Sequence, residues 1–471
     1  MIFRRLYHER LAQASYLIAC EATRQAVVVD PLRDPGIYRR AAAREEVRIA
    51  YVTETHLHAD FLSGAEALAA DTGATLLLSA AARDDATAAR LRRTRARPLH
   101  DLDIFQVGRV RLEALHTPGH TPEHLIFLVT DEAAADLAVG FLSGDFLFAG
   151  DVGRPDLLER AVGVKGSMHR AAAELFDSLE TIRSLPEYLQ VWPGHGAGSA
   201  CGKSLGAVPQ TTLGFEIRTN WALQVHDEAT FVRQVLADQP EPPAYFASMK
   251  RLNAAGVPPM PPEPHGDVVS LRRAIARGAR VVDARTPAMF LAGHLAGAIL
   301  VPLGRSFLTW VGSVLDPLEE SVLVLSPDDM PLAGEAIHDL ALIGFDRVLG
   351  AVSAAELFTD PPREMTRLRT MPAEKIGGEE HATVLDVRAE SEWNEGHIPG
   401  AINVPLARLA GRIAELRDSA PIVVHCQGGA RSAIAASLLQ AAGIADVVNA
   451  DGGYDAWARA HRAAGVGERG R

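Results

Sequence analysis

Two stretches of the chain repeat one another at a fixed spacing, and this limits the possible folds more than any other feature. Val281-Val282-Asp283-Ala284-Arg285, Gly293-His294 and Val301-Pro302-Leu303 return as Val384-Leu385-Asp386-Val387-Arg388, Gly396-His397 and Val404-Pro405-Leu406. Asp283 to Asp386 and His294 to His397 are each 103 positions. Three matched clusters in one register indicate two copies of one folded unit. Each copy is domain-sized and alternates apolar strand-like runs with helix-like segments. Two similar α/β domains are therefore expected, over residues 266–362 and 370–465. The Gly- and Arg-rich tail after Ala463 is expected to fray.

Ahead of the repeats the pattern is also mixed α/β. Tyr16-Leu17-Ile18-Ala19 and Ala26-Val27-Val28-Val29 read as a strand hairpin, and Ile49-Ala50-Tyr51-Val52-Thr53 as a strand that ends at a histidine cluster. A helix is expected over 64–71, with further strands over 75–78 and 125–129. This first domain is bounded at residues 1–238. Pro240, Pro242, Pro243, Pro258, Pro259, Pro261, Pro262 and Pro264 then mark an extended connector over 239–265, within which 245–252 is expected to form a short packing helix.

The 471 residues are 48% hydrophobic and 23% charged, which suits several globular cores and argues against disorder. A formal charge of −12 argues against a general nucleic-acid or anionic-membrane binder, while leaving room for a local basic pocket. No apolar run reaches the roughly 18 residues of a membrane span. Met1-Ile2-Phe3-Arg4-Arg5-Leu6 has no signal-peptide core, so a cytoplasmic location is expected. Cys20, Cys201 and Cys426 are too few to form a disulfide framework, so each is read as a thiol.

The sharpest local signal is Thr55-His56-Leu57-His58-Ala59-Asp60, directly after a strand. It is followed by His116-Thr117-Pro118-Gly119-His120-Thr121, Ser143-Gly144-Asp145 and Pro193-Gly194-His195-Gly196. Imidazoles and carboxylates on Gly/Pro-bounded loops at strand ends can converge on a metal ion. The four clusters, in this order, resemble the metallo-β-lactamase superfamily over about residues 1–235. That resemblance implies an αββα sandwich with a metal site at one edge. Binuclear hydrolases of the superfamily carry a histidine directly after the aspartate; here Phe61 stands there and cannot donate to a metal, which favours one ion. His56, His120 and Asp145 would then form a two-histidine, one-carboxylate set with open positions, as in non-heme iron(II) oxygenases.

Gly150-Asp151-Val152-Gly153-Arg154-Pro155-Asp156-Leu157 and Gly194-His195-Gly196-Ala197-Gly198-Ser199-Ala200-Cys201-Gly202 are similar to the persulfide dioxygenase branch. By that resemblance His56, His120 and Asp145 hold one Fe(II), and His58, Asp60 and His195 orient the ligands and hydrogen-bond bound water. Arg154 is a candidate for the substrate's anionic end, the alternative being an ion pair with Asp156. Cys201 is expected near the site, as a second sulfur acceptor or as a small loop residue.

Ile422-Val423-Val424 reads as a buried strand, and Cys426-Gln427-Gly428-Gly429-Ala430-Arg431 as a loop leading into a helix over 432–440. A cysteine at a helix N-terminus, beside an arginine, is expected to favour thiolate. This loop, with Asp386-Val387-Arg388, Glu395-Gly396-His397-Ile398-Pro399-Gly400-Ala401 and Gly452-Gly453-Tyr454-Asp455-Ala456-Trp457, resembles rhodanese sulfurtransferases. The resemblance implies that Cys426 carries a persulfide and that Arg431 holds thiosulfate or sulfite. The earlier repeat has Val322-Leu323-Val324-Leu325 followed by Ser326-Pro327-Asp328-Asp329-Met330 and contains no cysteine, so it is expected to be an inactive spacer.

Together the resemblances imply an iron(II) persulfide dioxygenase joined to a sulfurtransferase, acting in sulfide detoxification. The partners would be glutathione or coenzyme A persulfide, O2 and sulfite or thiosulfate, with no nucleic acid and no membrane. A dimer or tetramer is implied by family likeness. Two other readings stay open: a zinc thioester hydrolase of glyoxalase II type, and a sulfur-carrying or persulfide-sensing adaptor.

Overall fold

The structure is a computed structural model describing residues 1–81, 85–203, 205–377, 382–419 and 421–466. The chain divides into two compact units. One comprises Met1–Met260 with Leu342–Gly344, and the other Pro261–Ala341 with Phe345–Arg471.

The first unit contains two six-stranded sheets. One runs in sequence order through β1 (Ile2–His8), β2 (Gln13–Ala19), β3 (Gln25–Val29), β4 (Arg48–Thr53), β5 (Thr75–Ser79) and β6 (Arg97–Leu99), antiparallel up to β3 and parallel from there on. The other is built from β7 (Ile104–Val107), β8 (Val110–His116), β9 (Leu125–Asp131), β10 (Ala138–Gly144), β11 (Gln190–Pro193) and β12 (Thr211–Thr212). Side chains two apart along a strand share a face. Tyr16, Ile18, Val27 and Val29 of the first sheet thus meet Leu112, Ala114, Phe127 and Val129 of the second in one buried core. The opposite face of the second sheet presents Ile126, Phe141 and Val191. It is covered by Leu175, Leu179 and Ile182 of the helix Ser167–Arg183, which lie on one stripe of that helix. Helices Pro35–Arg44 and Ala65–Thr72 lie against β2 and β4 on the first sheet. The αββα sandwich is the fold the resemblance implies.

The expected hairpin pairs Tyr16 with Val29, and its first strand begins earlier, at Gln13. The segment expected as a connector belongs largely to the first unit. Its helix is Phe246–Ala255, with Phe246, Met249 and Asn253 buried. Arg33 donates from Nε to Pro258 O (3.1 Å) and from Nη2 to Pro259 O (2.9 Å), so the prolines beyond the helix are also tied down.

In the second unit the two repeats have matching parallel sheets. The first has β13 (Arg280–Asp283), a short β14 (His294–Leu295), β15 (Ile299–Leu300), β16 (Ser321–Leu325) and β17 (Val348–Ser353), in the order β15-β13-β16-β17. β14 pairs with β18 (Met365–Thr366). The second has β19 (Arg369–Pro372), β20 (Thr383–Asp386), β21 (Ile402–Asn403), β22 (Ile422–His425) and β23 (Val447–Asp451), in the order β19-β23-β22-β20-β21. Asp283 lies opposite Val324 and Asp386 opposite His425. One residue further on, Leu325 therefore occupies the place of Cys426. The repeats are bonded to each other where Leu300 N–H donates to Ser437 Oγ (3.0 Å). The last helix runs Gly453–Val466, and residues 467–471 of the tail lie outside the described residues. Among the described residues no helix is long and apolar enough to cross a membrane.

Candidate metal centre and cysteine loop

The His-x-His-x-Asp loop has no regular hydrogen-bond ladder, so other groups must satisfy its backbone. Asp30, at the end of β3, accepts Thr55 N–H on Oδ1 (2.7 Å) and the Thr55 hydroxyl on Oδ2 (2.9 Å). Glu123 accepts Leu57 N–H (2.9 Å). Asn253 donates to His58 O (2.9 Å) and Phe61 O (2.8 Å) and accepts Ser63 N–H (2.9 Å). Asp30, Glu123 and Asn253 lie outside the motifs read from the sequence, yet with Thr55 they hold the loop's shape.

These contacts also fix the tautomers. The Thr55 hydroxyl gives its proton to Asp30, so it accepts from His56 Nδ1 (2.9 Å). His120 Nδ1 lies 3.1 Å from Arg154 O, which can only accept. Both rings thus turn a bare Nε2 inward, His56 at 3.8 Å and His120 at 3.6 Å from Asp145 Oδ2. The three donor atoms lie within 4.8 Å of one another, and all three residues are buried. Asp145 Oδ2 has no hydrogen-bond partner among the described residues. An orphaned buried carboxylate oxygen facing two imidazole lone pairs is costly unless a cation sits between them, so the residues fit a metal ion. Burial holds the His56 and His120 rings below the usual imidazole range, which keeps them neutral as ligands must be.

Asp145 is aimed from both sides. Its Oδ1 accepts from His195 Nδ1 (2.7 Å), and His195 Nε2 donates onward to Asp60 Oδ2 (2.8 Å). Burial opposes a charge on His195, but Asp145 and Asp60 override it and raise its pKa well above the usual value. With both nitrogens engaged, His195 holds the orientation of the Asp145 carboxylate. His124, also missed in the sequence, accepts Asp145 N–H on Nε2 (3.2 Å). Gly144, at φ +50°, sits so close that a Cβ there would stand 2.5 Å from Thr55 Oγ1, which explains the glycine before the aspartate. His58 donates to Asp30 Oδ1 (3.1 Å), and its ring packs on Phe61 at 4.3 Å between centroids. The position after Asp60 is thus filled by a fully buried apolar ring.

Cys201 is buried beside Asp60 and His195, with its sulfur within 4.8 Å of their ligand atoms. Burial, then Asp60 and Asp145, push its thiol well above the ordinary range, so it is protonated. Tyr245 is buried within the field of Asp60 and Cys201, which adds a residue of the supposed connector to the surroundings of the centre. The reading of Arg154 as a substrate anchor is corrected. Its fully buried guanidinium forks onto Asp156 (2.8 and 2.7 Å) and also donates to Ala200 O (3.2 Å) and Pro240 O (2.7 Å). It ties the Cys201 loop to the chain leaving the domain.

In the second unit β22 delivers Cys426 to a loop that turns at Gly429 (φ +107°) into the helix Ala430–Ala441. Cys426 Sγ accepts Gly429 N–H at 3.1 Å and lies 3.7 Å from Ser432 Oγ. Gln427 is pinned by Arg388 Nη1 (3.0 Å) and donates to Asp455 (2.6 Å). The Arg431 side chain is engaged within the protein. Nη1 and Nη2 are bound to Glu392 Oε2 (2.6 Å) and Oε1 (2.7 Å).

The frame around this loop occurs twice. Arg388 Nη2 bonds Asp386 (2.7 Å) and Gly396 O (2.8 Å), and Arg285 Nη2 bonds Asp283 (2.6 Å) and Gly293 O (2.9 Å). The guanidinium lies over Tyr454 at 4.1 Å in one repeat and over Phe358 at 4.7 Å in the other. Trp393–His397 and Phe290–His294 are stacked alike, at 3.8 and 3.6 Å. All three cysteines are free thiols.

Residues 8–195 match the metallo-beta-lactamase superfamily and residues 373–460 the rhodanese-like domain. A crystal structure of a metallo-beta-lactamase from Staphylococcus aureus subsp. aureus COL is 41% identical, with a TM-score of 0.68. The match covers 75% of this chain and 99% of that one. That share is larger than the first unit, so the likeness extends into the second. The mitochondrial persulfide dioxygenase ETHE1 of Bos taurus is 28% identical over 198 residues, which are 41% of this chain and 68% of that protein. A hydroxyacylglutathione hydrolase of Rhodospirillum rubrum is 30% identical over 183 residues, which are 38% of this chain and 60% of that protein.

Proposed function

Because this chain belongs to the metallo-β-lactamase superfamily and carries a rhodanese-like domain, we propose that it is an iron(II) persulfide dioxygenase coupled to a sulfurtransferase. A persulfide of a small thiol, glutathione or coenzyme A, reacts with O2 and water to give the parent thiol and sulfurous acid, present as sulfite. A second persulfide molecule passes its outer sulfur to Cys426 and leaves as the parent thiol; sulfite then takes that sulfur from the Cys426 persulfide, leaving as thiosulfate and returning the cysteine. The role would be sulfide detoxification.

The observation that carries this reading is the inward convergence of His56 Nε2, His120 Nε2 and Asp145 Oδ2, with Phe61 filling the place where a ligand to a second ion would stand. Iron(II) held by these three residues, with its other positions open, would supply O2 activation and a seat for the persulfide sulfur. The protein's own part is positional. Asp145 is locked by His195 and by the backbone bond to His124, the imidazoles by Thr55 and the Arg154 carbonyl, and the whole loop by Asp30 and Asn253. The His195–Asp60 pair holds a proton next to the ligand carboxylate. Cys201 is placed as a protonated thiol that could accept sulfane sulfur once it loses its proton.

The likeness to the Rhodospirillum rubrum hydrolase supports a second reading, zinc-assisted cleavage of a thioester. The chain would then have to use one zinc, since Phe61 removes a ligand of the second. Metal analysis together with O2 uptake separates the two. Protein reconstituted anaerobically with iron(II) is expected to consume O2 when given glutathione persulfide and to leave S-lactoylglutathione intact. Thioester cleavage by zinc protein, without persulfide-dependent O2 uptake by the iron form, would replace the first reading by the second.

A further inference from the structure

The internal repeat works as a control for the cysteine loop, because it shows which residues the fold needs without the chemistry. The Asp–Arg pair, the arginine over an aromatic ring and the stacked histidine occur in both copies. Cys426 and Glu392 do not. Leu325 stands at the place of Cys426 by strand register, and Met289, 103 positions before Glu392, at the place of the glutamate. Counting on from the strand, Met330 takes the place of Arg431. The helix that carries Met289 has its own cap, Thr286 Oγ1 accepting Met289 N–H, so the fold does not require a glutamate there. Glu392 therefore accompanies the cysteine and the arginine.

Glu392 occupies the Nη1–Nη2 edge of Arg431, a fork that fits an anion. Its two oxygens take both terminal nitrogens in a fork, and Oε2 also accepts Ala389 N–H (3.0 Å). Both side chains are more than a quarter exposed, so the pair can part without unpacking a core. An ion pair this accessible holds weakly against water and competes on comparable terms with a dissolved anion.

We propose that Glu392 is an internal competitor for dianionic sulfur substrates: thiosulfate or sulfite reaches Arg431 only by displacing the Glu392 carboxylate, which sets a high concentration threshold for sulfur transfer at Cys426. The inference rests on the reading of Cys426 as the sulfur-transfer nucleophile and names its anion-selecting residue. With thiosulfate as donor, the Cys426 thiolate forms a bond to the outer sulfur, the S–S bond of thiosulfate breaks, and sulfite leaves with the electron pair. Cyanide then takes that sulfur as thiocyanate and returns the thiolate.

The test uses the full chain with Glu392→Gln, and with Glu392→Met, which copies the other repeat. Calorimetric titration with sulfate, a non-reacting dianion, is read for the component that Arg431→Gln abolishes. Both Glu392 variants are expected to bind sulfate about tenfold more tightly than the parent, and the KM for thiosulfate in the cyanide assay to fall by a similar factor. Sulfate affinity unchanged or weakened in both variants would overturn the proposal and make Glu392 a support that positions Arg431. Absence of thiocyanate from the parent protein would instead count against the sulfurtransferase reading, while the sulfate titration still decides the role of Glu392.

Discussion

The two repeats of the second unit are built on one frame and differ in a handful of side chains. The order of the four central-sheet strands, the buried Asp–Arg pair and the stacked histidine are common to both, and β19 is an added edge strand in the second. The segment after the central strand is not. In the second repeat a glycine turn swings Cys426 to the start of a helix. In the first, Leu325 is as buried as Cys426, but it is followed by Pro327–Leu332, a 3-10 turn fastened by the Ser326 hydroxyl on Asp329 (2.6 Å). The difference teaches that the frame is maintained by stability, through a buried ion pair that cannot lose one partner cheaply. Reactivity lies in the few residues around the loop, which a domain can lose without unfolding.

The comparison can be broken most severely at the nucleophile. Cys426→Ser is expected to lower thiosulfate:cyanide sulfur transfer on the order of a thousandfold or more while leaving persulfide-dependent O2 uptake in place. Leu325→Cys should yield no transfer in return, because the first repeat lacks the glycine turn and the arginine. Sulfur transfer from Leu325→Cys in a Cys426→Ser background would contradict that. Next in size is the shared frame. Arg285→Ala and Arg388→Ala each leave a buried aspartate unpaired and should each cost about 3–5 kcal/mol in denaturant unfolding. A large loss in only one repeat would show that the frames are not equivalent.

The smallest effect concerns acid. Burial opposes the Glu392 charge, but Arg431 outweighs it and holds the carboxyl below its usual range. A depressed carboxylate stabilises the fold fully above the unfolded value of about 4.3 and loses that contribution as pH falls through the folded value. Glu392→Gln should therefore flatten the acid side of the stability profile below about pH 4.5, by less than about 1 kcal/mol for so exposed a pair. An unchanged profile would mean that the pair adds nothing to folding.

Much of this was legible in the sequence, because the chemistry is clustered there. His56, His120, Asp145 and Cys426 lie in short motifs at strand ends, the last three beside glycines, and the repeat shows in its spacing. The supports are not clustered. Asp30, Glu123 and Asn253 reach the metal loop from well before and well after it in the sequence, as single polar residues in ordinary surroundings. Arg154 and Arg431 were ambiguous because an arginine near a site pairs equally well with a substrate or with a protein carboxylate. Only geometry shows that Asp156 and Glu392 hold them. The helix Phe246–Ala255 is close to the one expected over 245–252, but the prolines on both sides suggested a spacer where the chain is in fact tied into the domain.

In the proposed function the two chemistries are divided between the metal centre of the first unit and the cysteine repeat of the second. Oxidation of excess glutathione persulfide, several molecules per chain, by iron(II)-loaded parent and Cys426→Ser protein, with O2, sulfite and thiosulfate all quantified, tests that division. Equal O2 uptake by both proteins is expected, with thiosulfate from the parent and sulfite accumulating without thiosulfate in the variant. Thiosulfate formed equally by both proteins, or O2 uptake lost together with Cys426, would contradict it.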